Sequence, residues 1–239
     1  MKIKIEIPQT LKDVHLDTFI QFAKIDTKDE QELKHRAFSL LLGLNIDTIK
    51  SLDFKHTDIL INELNTLLSD KPKQQLTFEI DGVKYGRIPN MENLSFGEYY
   101  DLDGYITPLF EGEVKHEEAF KFMSVMYRPI VDEVKGLYSI KPYTGNEDWH
   151  VMKKAPTNAY LDTVGFFLNL NKELSMALRT YLQGEATQIA HEQSLEELGD
   201  GMGALTTLLE ATSLSTYRLQ SYRFCKSLQN CYSISKMLN

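Results

Sequence analysis

Cysteine is nearly missing: only Cys225 and Cys231 occur in 239 residues. Six positions apart on a helical stretch, they are turned by about 600° and face different sides, so they are not expected to bridge each other. A disulfide-stapled secreted scaffold is excluded on that count. Long apolar runs are also lacking, since none reaches the roughly 18 residues that a membrane span requires. The chain opens Met1-Lys2-Ile3-Lys4-Ile5-Glu6-Ile7 in strict alternation, whereas an export signal follows its basic start with about 7 to 15 apolar residues. These absences predict a protein of a reducing cytoplasm or of a particle assembled there, with no membrane partner. An excess of basic charge is missing too. Lys and Arg total 26 against 34 Asp and Glu, a net charge of −8, which argues against wrapping or sequence-specific reading of duplex nucleic acid.

What is present is ordinary globular material, 42% hydrophobic and 25% charged, enough for one large domain or two small ones. The charge is unevenly spread. From Gly199 onward four basic residues (Arg218, Arg223, Lys226, Lys236) meet two acidic ones (Asp200, Glu210), net +2, so the remainder carries −10.

Periodicity predicts an α+β fold that is mainly helical. Lys2 to Ile7 alternates with period two and reads as a strand ended by Pro8. Leu76 to Ile80 and Val83 to Tyr85 flank Asp81-Gly82, a two-residue turn sequence suited to a type I′ hairpin, and that hairpin is expected to pair with the first strand. Thr10 can cap a helix carrying Leu11, Val14, Phe19 and Phe22. Thr27-Lys28-Asp29-Glu30 reads as a capping box for a second helix, with Leu33, Ala37, Leu40 and Leu41 on one face and Gly43 at its end. A third helix is expected from Thr57 to about Leu68. Ser95-Phe96-Gly97-Glu98 is another capping box, opening a short helix. Lys115 to Tyr127 reads as a helix stopped by Arg128-Pro129. After a Gly-, Pro- and Asn-rich loop, helices are expected at roughly 160 to 183, 185 to 198 and 203 to 236, broken at Gly184 and at Gly199-Asp200-Gly201-Met202-Gly203. The implied organisation is a body over 1–198 with a small sheet and a helical bundle, then a Gly-hinged C-terminal helix over 199–239.

No motif carries catalytic chemistry. The glycines from Gly199 lack the preceding strand and the Lys-Ser or Lys-Thr pair of a phosphate loop, so they read as a hinge. Asp101-Leu102-Asp103-Gly104 starts like a calcium loop but has Ile106 where that loop needs Gly and Gly112 where it needs Glu. Glu32-x-x-His35 and Glu147-x-x-His150 match the spacing of carboxylate-bridged di-iron bundles. His35, however, lies opposite the apolar face of its helix, and Glu147 and His150 follow Thr144-Gly145-Asn146 in a loop or short helix. No Cys has a nearby His and no Gly-x-Ser-x-Gly elbow occurs. The chain is therefore not expected to be an enzyme, and no catalytic, metal or cofactor residue is assigned; action through protein contacts is the expectation.

Two stretches look like interfaces. Leu214, Tyr217, Ser221, Phe224, Leu228, Cys231, Ser235 and Leu238 recur at steps of three and four, the spacing of a coiled-coil seam. Such a helix can dock on its own domain or bind another subunit, including another copy of itself. Met91 to Asp103 is dense in aromatic and acidic residues, a capped helical turn presenting Tyr99, Tyr100 and Tyr105, which can fill a core or form an interface.

Ordered short motifs carry a resemblance over about residues 3 to 170. They are Ile5-Glu6-Ile7-Pro8-Gln9-Thr10-Leu11-Lys12-Asp13-Val14, Ile88-Pro89-Asn90 leading to Leu94-Ser95-Phe96-Gly97-Glu98-Tyr99 and Asp101-Leu102-Asp103, Met126-Tyr127-Arg128-Pro129-Ile130, Tyr138-Ser139-Ile140-Lys141-Pro142-Tyr143 and Gly165-Phe166-Phe167. This pattern resembles a group of tailed-bacteriophage proteins from phages of Bacteroidetes and marine bacteria, encoded among structural and tail-assembly genes. The resemblance implies virion morphogenesis, as a tail assembly chaperone or a structural component of the particle, with other phage structural or tail proteins as partners. It supplies no catalytic residue. An enzyme or accessory factor of phage nucleic-acid metabolism is the reading from another class.

Overall fold

A computed structural model describes residues 5–27, 29–111 and 116–192. The chain divides into two compact units between Asp162 and Thr163. The seam from Leu214 to Leu238, the glycine run at 199–203, both cysteines and the expected body-to-helix boundary at 198/199 lie outside the described residues.

The first unit begins with a helical group: α1 (Leu16–Ala23), α2 (Glu30–Leu42), α3 (Ile46–Lys50) and α4 (Phe54–Ser69). Each helix exists because its apolar residues recur on one side. Leu33, Ala37 and Leu41 of α2 and Leu60, Leu64 and Leu67 of α4 are buried, together with Phe19 and Phe22 of α1. Gly43 ends α2 in the left-handed conformation at φ 64°, which only glycine adopts without steric cost. The cap of α2 is Asp29, whose Oδ1 accepts from the amides of Gln31 (2.9 Å) and Glu32 (3.3 Å), two positions beyond the Thr27 cap expected from the sequence. Thr27 instead donates its hydroxyl to Glu32 at 2.7 Å.

Three expectations about the N-terminal region change. Thr10 caps no helix: its amide and hydroxyl bond the Asp13 carboxylate at 2.9 and 3.0 Å in a local turn, and α1 starts six residues later. Residues Ile5 to Ile7 form no strand, because Ile5 and Ile7 pack on the helical core rather than on a ladder partner. The third expected helix starts at Phe54 rather than Thr57.

The sheet is four-stranded and antiparallel, in the order β1 (Thr77–Ile80), β2 (Val83–Arg87), β3 (Tyr127–Val134), β4 (Leu137–Ile140). Asp81 (φ 51°) and Gly82 (φ 79°) make the expected hairpin turn. Its sheet partner is β3, not an N-terminal strand, with Tyr85 opposite Pro129 and Arg87 opposite Tyr127. The region after Tyr127 is thus a strand, where a helix stop and a loop were expected. Pro129 has no amide hydrogen to give, but its carbonyl accepts from Lys141 at 2.8 Å, and the ladder continues past it. A register shift between Ile130 and Asp132 marks a bulge, and Lys135-Gly136 close the hairpin at φ 52° and 82°. The sheet's buried side carries Phe78, Tyr85 and Tyr127, with ring centroids 5.8 Å (Phe78 to Tyr85) and 4.8 Å (Phe78 to Tyr127) apart.

Between the two hairpins lie α5 (Phe96–Glu111) and α6 (His116–Met126). A 3₁₀ segment at Trp149–Lys154 then leads into α7 (Thr157–Glu192). The start of α7 is tied to the N-terminal turn: Thr157 donates its amide and its hydroxyl to the Val14 carbonyl at 2.9 Å each, and the Leu16 amide donates to Ala155 at 2.8 Å. Asn158, also buried, holds the segment before β1 through the Lys73 amide and carbonyl and the Gln75 side chain.

Of the second unit, α7 from Thr163 onward is described. Its backbone is helical through Gly184, where a break was expected: one glycine costs a helix about 1 kcal/mol, too little to interrupt a 36-residue run. Phe166 and Phe167 meet edge to face at 5.2 Å.

Candidate functional site

The feature that stands out is the first two turns of α5. Ser95 and Glu98 form the expected capping box: the Ser95 amide donates to Glu98 Oε2 at 2.7 Å, and the Glu98 amide donates to Ser95 Oγ at 3.3 Å. Glu98 does more than cap. Its other oxygen accepts a short hydrogen bond from Arg128 Nη2 of β3, and both side chains are buried. The pair is monodentate, and the buried Arg128 Nε has no hydrogen-bond partner among the described residues. The Arg128 guanidinium lies 5.6 Å from the ring centre of Tyr143, whose hydroxyl donates to Asp101, one turn further along α5.

These contacts fix the electrostatics. Burial acts to raise the Glu98 pKa, but hydrogen bonding at Ser95, through side chain and main chain, and the Arg128 cation outweigh it, so the carboxyl titrates below its ordinary value. The Tyr143 phenol is pushed well above its usual range, first by burial and then by its bond to the Asp101 carboxylate.

With 100° per residue, Glu98, Asp101 and Leu102 lie on one side of α5, and Phe96, Tyr99, Tyr100 and Asp103 fall within about 100° on the opposite side. The inner side is clamped as described, with Leu102 buried. The outer side is bare: Phe96 is 83% exposed, Tyr99 61% and Tyr100 68%, with the Phe96 and Tyr100 rings stacked at 6.3 Å. Of the two sequence alternatives for this stretch, core or interface, Tyr99 and Tyr100 are therefore not core. Sequence reasoning named Tyr99 and Tyr100 but gave no place to Phe96, the most exposed of the three. Its signal was its position three and four residues before the tyrosines.

A second surface groups Trp149, His150 and Phe120 at an open groove of about 850 Å³. The Trp149 and Phe120 rings are nearly parallel at 6.2 Å, and Lys121 and Lys153 sit 5.6 and 5.9 Å from the Trp149 centre. Its charged walls alternate Asp17, Lys24, Glu117, Glu118, Lys121 and Lys153, three of each sign, so the groove prefers no ligand charge.

The two Glu-x-x-His pairs do not converge. Glu32 is held by Arg36 at 2.6 Å and by Thr27, while Glu147 caps its own loop through Thr144 at 2.9 and 3.0 Å, and His150 is exposed. Among the described residues no group of three or more His, Cys, Asp or Glu side chains is placed to hold a metal ion, and no helix is long and apolar enough to cross a membrane. No protein family, curated protein or solved structure matches this chain.

Proposed function

We propose that this chain is a virion-assembly protein of a tailed bacteriophage, acting through protein contacts as a tail assembly chaperone or as a structural component of the particle, and not as an enzyme. The observation that carries the binding half of this reading is the α5 surface. Three large aromatics stand exposed on a helix whose opposite side is locked by a buried ion pair, which keeps the surface rigid before any partner arrives. Rigid aromatic side chains lose little conformational freedom on binding, and contiguous exposed apolar patches mark interaction sites. The phage half rests on the ordered motifs from Ile5 to Phe167, several of which, Leu94 to Tyr99 and Met126 to Ile130 among them, form this same scaffold.

Mass spectrometry of purified phage particles separates the two roles. A structural component is present at fixed copy number, whereas a chaperone is absent from finished virions yet required for their yield. Normal yield of infectious particles from a phage with the reading frame interrupted would overturn the proposal.

A further inference from the structure

We infer that the Phe96, Tyr99, Tyr100 and Asp103 side of α5 docks the basic C-terminal segment, residues 211–239, of a second copy of this chain. The inference deepens the assembly reading and rests on it for its biological setting, but its chemistry stands on two observations.

The first is exposure. Phe96, Tyr99 and Tyr100 are 83, 61 and 68% exposed, left uncovered by the described residues of their own chain. Covering an aromatic side chain of this size contributes about 1.5 to 3 kcal/mol. The surface is also prepared for docking, because the Glu98 to Arg128 pair and the Tyr143 to Asp101 bond hold α5 from behind.

The second is charge. From Ile88 to Val114 the chain has six acidic residues and no Lys or Arg. Glu98 is neutralised internally by Arg128, whereas Glu92 and Asp103 are exposed. From Ala211 to Asn239 the composition is reversed: four basic residues, no Asp or Glu. The same segment bears the apolar repeat of Leu214, Tyr217, Phe224, Leu228 and Leu238. An apolar, cationic segment is the complement of an aromatic, anionic stripe, and opposite charges at a rim choose the partner and speed its capture. A chain of net charge −8 repels its copies, and a local inversion of sign offsets that repulsion where the two copies meet.

The test uses the full chain. A photoreactive phenylalanine analogue is placed at Tyr100, and isotope-labelled and unlabelled copies are mixed, irradiated, digested and mapped by mass spectrometry. The expected product joins position 100 of one copy to a peptide within 211–239 of the other. In parallel, light scattering should find an oligomer at low salt that weakens as salt rises. Phe96→Ser with Tyr100→Ser, and separately Arg218→Glu with Arg223→Glu, should each raise the dissociation constant at least about tenfold, with circular dichroism unchanged. Cross-links confined to one copy, or cross-links to a different segment, overturn the inference. So does a chain that is monomeric at low salt, or an oligomer indifferent to the Phe96 and Tyr100 changes. A monomeric chain that particles still require defeats this inference and leaves the assembly reading intact; a self-docking chain that particles do not require does the reverse.

Discussion

The ring of Tyr138 lies directly over Gly86: a methyl group on the glycine would meet Tyr138 Cε2 at 2.5 Å, Cδ2 at 2.8 Å and Ile130 Cγ1 at 3.0 Å. Tyr138 reaches this place from β4 by crossing β3, and its hydroxyl donates to the carbonyls of Arg87 at 2.9 Å and Leu76 at 3.3 Å. The ring therefore cannot swing aside without losing both bonds. Gly86→Ala is expected to destabilise the protein by about 1 to 3 kcal/mol, the range of overpacking in a filled site. In a double-mutant cycle, Gly86→Ala combined with Tyr138→Ala should cost less than the two single changes added, because the clash is gone. Urea unfolding monitored by circular dichroism checks both; additive costs would show that the ring does not set the demand for glycine.

Asn158 is 4% exposed and holds three hydrogen bonds to the segment before β1, at 2.7 to 2.9 Å. Asn158→Ala removes three part-buried hydrogen bonds to this segment, each worth about 0.5 to 1.5 kcal/mol net. A loss of about 2 to 3 kcal/mol is expected in the urea midpoint. Asn158→Asp keeps the acceptor but turns the donor into a second acceptor facing the Lys73 carbonyl, so it should not rescue. A neutral Asn158→Ala would mean that the start of α7 does not hold this segment.

Much of the local structure was legible because its causes are local. Asp81-Gly82 demands positive φ, Ser95 to Glu98 satisfies its own helix terminus, and the apolar spacings of α2 and α4 announce their buried sides. Misreadings arose where a distant partner decides. Lys2 to Ile7 alternates as a strand would, yet Ile5 and Ile7 find helices to pack on. Pro129 reads as a stop, but its place opposite Tyr85 needs only its carbonyl, given to Lys141. Lys135-Gly136 between Val134 and Leu137 was a turn signal of the same kind as Asp81-Gly82, missed for lack of a dense alternation around it. The candidate surface was half legible. The tyrosines were visible, but which side of α5 faces outward depends on Arg128, thirty residues away, pulling Glu98 inward.

A chain working through contacts leaves nucleic acid intact. Incubated with single- or double-stranded DNA and Mg²⁺, the purified protein is expected to produce no cleavage or modification visible on denaturing gels. Strand scission that follows the protein through gel filtration would return the function to nucleic-acid metabolism.

Glu98, held by its bonds at Ser95 and by the Arg128 cation, sets an acid limit on stability. Glu98 has a folded-state pKa below its unfolded value of 4.5, so the folded protein binds fewer protons than the unfolded chain in that range. Its contribution is complete above the unfolded value and is lost as the pH falls through the lower folded one. Glu98→Ala removes the carboxylate, leaves Arg128 buried with its charge uncompensated and opens the cap at Ser95. About 3 to 5 kcal/mol is expected, the cost of breaking a buried pair from one side. Glu98→Gln keeps one acceptor, for the cap or for Arg128, fills the same volume and cannot ionise, so it should cost less than Glu98→Ala at neutral pH and flatten the decline below pH 4.5. Denaturant midpoints measured across the acid range for the wild type and both variants test this. A Glu98→Gln curve that falls in parallel with the wild type would assign the acid sensitivity to other carboxylates. It would also leave the rigidity of the Phe96 and Tyr100 surface without its electrostatic cause.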